Sequence, residues 1–298
     1  MKRYTLCYSL LMSFCLSASL SQAKTFIKSD STGLPGDHFS LEGALELFKK
    51  SSSPEEFEKM LNSEDNKVNN LDLNGDGEID YIRVIDKTDK GVHTFILQAA
   101  VSESENQDIA VIELEKEGTD KKEGTDKAVL QIVGDEDIYG EETIIEPTEE
   151  VKANAGTTTS TTVVNVAAWP AVRYVYAPSY TVWVSPYGWR VRPVWWRPWR
   201  PVRYAVYHPY WAPYRHRYAV VNTHRVVYAR GIYRPVRTTS VIVTTRHQPA
   251  VASYRATRTT TTVHGPRGRE VTRKSTTVQG PRGNKVTRKT TRVKKGRN

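Results

Sequence analysis

Leu41, Ala44, Leu45 and Phe48 recur at the three-and-four spacing of an amphipathic helix. Ser53-Pro54-Glu55-Glu56 then carries the start signals of a second helix: a capping serine, a proline suited to the first turn, and a glutamate placed to complete a capping box. Phe57, Met60 and Leu61 supply its apolar face. Beyond them the pattern changes to short Ile/Val-rich runs at 79–87, 94–101, 109–116 and 128–133, separated by polar turn-forming stretches. Such short connections favour antiparallel pairing, because parallel strands need long crossovers. The expectation is an α+β fold, two N-terminal helices on a small antiparallel sheet of about four strands, with Thr143-Ile144-Ile145 as an extension. The tandem Glu-Gly-Thr-Asp-Lys at 117–121 and 123–127 falls between two strands and reads as a tolerated loop insertion.

From Thr157 the periodicity stops. Residues 168–236 hold seven Trp and eleven Tyr among Arg, Pro and Val. Frequent prolines argue against long helices and central strands, so the expected state is largely disordered, extended or polyproline-like. Strand pairing is left to proline-free stretches such as 218–230 and 236–246. The end of the chain repeats every 15 residues, Thr261-Thr262-Val263-His264-Gly265-Pro266-Arg267-Gly268 returning as Thr276-Thr277-Val278-Gln279-Gly280-Pro281-Arg282-Gly283. Each copy reads as strand, turn, strand, and the whole as a cationic arm carrying β-hairpins.

Charge divides the chain along the same line. Residues 24–152 have a net charge of −18 and residues 153–298 a net of +26, within a total of +10. The layout is a leader at 1–23, an acidic α+β domain at 24–150, a Thr-rich linker at 151–167, an aromatic/Arg/Pro region at 168–250 and a basic repeat tail at 251–298. The leader follows from Lys2 and Arg3, the mostly apolar or small run from Leu6 to Leu20, and Ser21-Gln22-Ala23 before Lys24. It implies export, to the periplasm, the outer surface or the exterior. Both cysteines, Cys7 and Cys15, lie inside it, so the remaining chain has neither disulfides nor thiol chemistry. No later run is long and apolar enough to predict an integral membrane span.

Asp72-Leu73-Asn74-Gly75-Asp76-Gly77-Glu78-Ile79-Asp80 is the sharpest motif. Asp72, Asn74, Asp76 and Asp80 place side-chain oxygens at positions 1, 3, 5 and 9, Gly77 permits the turn, and Glu78 offers its carbonyl. That spacing wraps hard oxygen ligands around one cation, calcium above all. The alternative is a polar turn that binds nothing tightly. The segment resembles the calcium loops of EF-hands and, more closely, those of integrin-type FG-GAP repeats, where a strand follows directly. It departs from the EF-hand at position 12, which is Arg83. The resemblance implies a single structural calcium site. The layout as a whole looks like exported bacterial proteins of unknown function that join such a loop to a Tyr/Trp/Arg/Pro-rich tail.

The tail carries the other candidate chemistry. Guanidinium groups bind phosphate, sulfate and carboxylate, and indoles stack on sugars and bases. Trp195, Trp196, Arg197, Trp199, Arg200, Arg203, Arg215, Arg217, Arg267 and Arg282 are the candidate contacts to anionic polymer. Catalysis is not expected: His38 and His93 have no motif around them, and nucleophile-elbow, zincin and phosphate-loop patterns are missing from the sequence. The leading expectation is an exported non-enzymatic protein holding lipopolysaccharide, acidic polysaccharide or extracellular DNA, with peripheral membrane contact as a further partner. The alternative is a calcium- and salt-tuned self-assembly through attraction of the acidic and basic halves.

Overall fold

Ser40 opens the first helix, α1 (Leu41–Lys50), by accepting the Gly43 N–H at 3.0 Å. In the computed structural model α2 (Pro54–Leu61) starts as its sequence predicts, with Ser53 accepting the Glu56 N–H. The return arm of the box is displaced by one residue: the Glu56 carboxylate takes the Ser52 N–H at 2.7 Å. The structure describes residues 31–117, 126–151, 160–256, 258–264, 270–279 and 285–294. The leader with both cysteines, the bulk of the duplicated pentapeptide, Arg267 and Arg282 lie outside the described residues.

β1 (Ile82–Asp89), β2 (Val92–Ala100), β3 (Asn106–Glu117) and β4 (Lys127–Gly134) form the expected antiparallel meander. Lys90 and Gly91, at φ of 50° and 78°, make the two-residue turn between β1 and β2 with the handedness that strand twist requires. Asp135 caps a short helix, α3 (Glu136–Tyr139), and β5 (Thr143–Val151) returns along β4.

The fold is α+β, but the expected sheet of about four strands has seven. β6 (Ser160–Val163) pairs with β5 at Thr148–Val151, and β7 (Tyr218–Val221) pairs with it at Ile144–Pro147. β7 falls in the stretch 218–230 left open to strand pairing, whereas β6 comes from the Thr-rich linker, where no strand was expected.

All nine residues of β2 are buried, so both faces of the sheet are covered. On one face Phe95 and Leu97 pack with Phe48 of α1 and Phe57 of α2. On the other, Ile96 meets Ile85, Val111 and Tyr233. The cover on this second face is the basic region itself, which corrects the expectation of disorder. It forms α4 (Pro170–Val175), α5 (Tyr204–Tyr207), α6 (Val227–Tyr233), α7 (Val241–Ala256) and a 3₁₀ run at His208–Arg217. Prolines 170 and 209 sit at the starts of such turns, where no backbone donor is needed. Residues 236–246, read as open to strand pairing, instead lead into α7.

The aromatic side chains are the reason the region folds. Trp169, Tyr207 and Trp211 belong to the same buried cluster as Leu41, Leu45 and Phe48. The Trp211 ring lies against Gly43 in space a side chain there would fill, and its indole N–H donates to the Lys67 carbonyl at 2.6 Å. The Tyr207 hydroxyl donates to the Val68 carbonyl. Beyond α7, β8 (Arg258–His264), β9 (Glu270–Gln279) and β10 (Lys285–Lys294) form a separate antiparallel sheet in the order β10-β9-β8, as the repeats suggest. Among the described residues no helix is long and apolar enough to cross a membrane.

Candidate functional site

The acidic loop turns on two glycines, Gly75 and Gly77, both in the left-handed region at φ of 75° and 86°. Asp72 braces it from within. One carboxylate oxygen accepts the N–H groups of Gly75 (2.7 Å) and Asp76 (3.1 Å), and the other that of Gly77 (3.0 Å). Asn74 and Asp76 repeat the device, accepting from Asp76 N and Glu78 N. Leu73 and Ile79 are buried and root the loop in the core.

Asp80 is buried and accepts the Leu73 N–H at 2.7 Å. Burial pushes its carboxyl up to about 7; the Leu73 N–H opposes that, while the charges of Asp72 and Asp76 add to it. The donor set is all oxygen and suits a hard cation. Among the described residues, however, no three His, Cys, Asp or Glu side chains converge as a metal-holding group. Basic side chains of the chain itself, two arginines and a histidine that burial keeps towards its neutral form, stand around the loop instead. Arg192 faces Asp80 and Asp76, the Arg246 guanidinium lies against Gly75, and His247 Nε2 is 3.2 Å from the Leu73 carbonyl.

A ridge of the basic region crosses this loop. Residues 183–185 pair with the outer edge of β1, with Asp86 N donating to Trp183 O and Ser185 N to Val84 O. The chain then turns at Gly188–Val191 and at Pro193–Trp196. Its far end is clipped by Ile79 N on the Trp199 carbonyl (2.9 Å) and by the Asn70 amide, which exchanges two 2.8 Å bonds with the Val202 backbone. Trp196 is the inward anchor, edge-on to Tyr81 with centroids 5.2 Å apart. The Arg192 guanidinium sits over the rings of Tyr81, Trp189 and Trp196 at 5.6, 5.5 and 5.0 Å.

Outward from the ridge point Trp195, Arg197, Arg200 and Arg203, all exposed. Among the described residues none of these three arginines pairs with a carboxylate. Trp199 is half-buried, and Trp196 faces the core and not a ligand. Arg215 lies beside His208, and Arg217 reaches Glu46 at 3.3 Å, so neither belongs to the ridge. Sequence reasoning missed Val191 and Val194, which are exposed at the two turns. Their signal was the placement of single valines between Arg, Trp and Pro, where a core valine has no neighbours of its kind.

The second face of the sheet and the α3 turn at its end carry buried and half-buried acids, answered by the basic region. Arg237 holds Asp135 through two bonds of 2.6 and 2.8 Å and Asp137 through a third of 2.8 Å. Arg225 grips Glu146 at 2.5 and 2.9 Å, while Arg230 and Arg234 meet Glu142. His224 lies between Glu113 (3.7 Å) and Glu142 (3.4 Å). Burial raises Glu113 to about 8, and the neighbouring Glu142 adds to the shift. On the helical face, buried Glu58 accepts from Val84 N, Tyr81, Ser185 and the Trp183 indole; burial raises its carboxyl and these donors hold it down. Asp86 binds His93 (2.9 Å) and the Tyr180 hydroxyl (2.8 Å) under the same cover. These groups fasten the basic region to the sheet.

In comparisons with known proteins, no protein-family model, no curated protein and no solved structure matches the chain.

Proposed function

We propose that this chain is an exported, non-enzymatic binding protein of the cell envelope or exterior that holds anionic polymer, such as lipopolysaccharide, acidic polysaccharide or extracellular DNA. The observation that carries the reading is the division of labour among the arginines. Arg217, Arg225, Arg230, Arg234 and Arg237 are paired with carboxylates of the chain, whereas Arg197, Arg200 and Arg203 stand exposed on the same segment as Trp195 with no carboxylate partner among the described residues. Arg197 spends one nitrogen on the Val194 and Trp196 carbonyls (3.0 and 2.7 Å), and guanidinium groups left without a carboxylate near an exposed indole suit phosphate or sulfate together with a stacking surface. The acidic loop beneath would take one calcium ion through Asp72, Asn74, Asp76, the Glu78 carbonyl and Asp80, stiffening the floor on which the ridge rests.

The test is co-sedimentation of the full chain with isolated envelope, and its binding to heparin, at rising salt. Each phosphate-type contact contributes a slope of roughly 0.7–0.9 in log affinity against log salt. Replacing Arg197, Arg200 and Arg203 together by Gln should therefore reduce the slope by about 2–3 and weaken binding to both. Unchanged affinity and slope would refute the assignment.

The second reading, attraction between acidic and basic halves, is favoured by a different observation. The Arg237–Asp135 and Arg225–Glu146 pairs join the two halves within one chain. In that form the attraction is a means of folding, and assembly between chains would require these pairs to open.

A further inference from the structure

The ridge has a property that anionic polymer does not use. Val194 is 89% exposed and Val191 59% exposed, beside Trp195 at 43%. An aliphatic side chain gains nothing from a sulfated sugar or a phosphodiester; it gains by leaving water for hydrocarbon. Tryptophan favours the boundary between the two, and arginine the phosphate layer above it. The same short segment therefore presents apolar tips at its turns, indole beside them, and Arg197, Arg200 and Arg203 as a cationic flank without carboxylate partners among the described residues.

We propose that this ridge is an interfacial anchor for an anionic lipid surface, with Val191, Val194 and Trp195 entering the headgroup–acyl boundary and Arg197, Arg200 and Arg203 binding lipid phosphates. The inference rests on the preceding reading that these arginines form the anion-binding surface, and it names the ligand class. The anchor is set by the fold: Trp196 is fixed against Tyr81, and the segment is clipped at Ser185, Trp199 and Val202, so the tips are presented without an amphipathic helix. No helix among the described residues spans a bilayer, and attachment at this depth needs none.

The experiment uses the full chain, vesicles of phosphatidylcholine alone or mixed with phosphatidylglycerol, and heparin as the polymer probe. The chain should float with the anionic vesicles and not with the neutral ones, and lipids brominated near the headgroup end of the acyl chains should quench its tryptophan emission. Val191→Ser with Val194→Ser should weaken vesicle binding about tenfold or more and leave heparin affinity unchanged, because burying apolar surface is the contribution removed. Arg197→Gln, Arg200→Gln and Arg203→Gln should each weaken vesicle binding about fivefold, and together weaken heparin binding as well. Both sets lie at exposed positions, so circular dichroism should match the parent. Binding to heparin without binding to anionic vesicles would overturn the lipid anchor and leave the polymer reading standing. Full vesicle binding by the double valine variant, or absent bromine quenching, would overturn it equally. Binding to neither probe would remove the polymer reading and the anchor with it.

Discussion

Replacing Arg237 by Met tests whether the basic region is fastened to the sheet by charge. The guanidinium makes two bonds to Asp135, whose side chain is 2% exposed, and one to Asp137. Removing one partner of a buried pair costs roughly 3–5 kcal/mol, mostly from the carboxylate left behind. Asp135 would keep the Asp137 N–H at 2.9 Å and the Tyr233 hydroxyl at 3.4 Å. The expected loss therefore falls at the lower end, about 3 kcal/mol. With a urea slope of about 2–3 kcal/mol per molar, the unfolding midpoint followed by tryptophan emission should drop by about 1 M. Adding Asp135→Asn removes the stranded charge and keeps a capping oxygen for α3, so the double variant should recover about 2 kcal/mol of the loss. Acid should also narrow the deficit. Burial already raises Asp135, with Arg237 opposing it, so losing the arginine raises the carboxyl further. The penalty is then present above that raised value and disappears as protonation neutralises the group. A midpoint change under about 0.3 M, or additive effects in the double variant, would refute the reasoning.

Glu113 gives the second prediction. Its carboxyl is raised from 4.5 to about 8 in the folded chain, so the folded state holds the proton more tightly, and its contribution to stability falls as pH rises from about 4.5 through 8. Glu113→Gln should therefore be more stable than the parent at about pH 8.5, by about 2–4 kcal/mol, and the advantage should vanish near pH 4.5. Thermal melts of both chains across that range measure it, and parallel profiles would refute it. The third prediction concerns calcium. The ion at a hundredfold excess over its dissociation constant should stabilise the chain by about 2.7 kcal/mol against a chelator control, an effect lost in Asp76→Asn. Terbium in its place should luminesce through Tyr81 and Trp196. No thermal shift and no sensitised emission would reject the site.

The acidic half was legible because its patterns are local. Helical spacing at Leu41–Phe48, the cap at Ser53 and the Ile/Val runs each decide their own element. The basic region was misread because its order is not local. Trp169, Tyr207 and Trp211 have no apolar stripe around them; their partners are Leu41, Leu45 and Gly43, far along the chain. Proline counts suggested disorder, yet Pro170 and Pro209 begin turns that their rigidity suits. A signal was present: β2 (Val92–Ala100) carries the apolar run Phe95-Ile96-Leu97, which puts large apolar side chains on both faces and requires cover on each, and α1 with α2 cannot supply both. The acidic loop was recognisable by spacing alone, whereas the exposed valines of the ridge acquire meaning only once Trp196 is seen to turn inward.

The bonds from Trp211 to Lys67 and from Tyr207 to Val68 join residues 144 and 139 positions apart. The ribosome therefore releases the whole acidic half before the side chains that close its core exist. Until then that half is a self-repelling polyanion with an open apolar face, slow to settle because its closing contacts lie so far ahead. Were the chain exported, as proposed above, it would have to stay unfolded until it had passed a narrow translocation pore. The delay would then follow from the order of synthesis, since Tyr207, Trp211 and Val243, which complete the core, emerge after the whole acidic half.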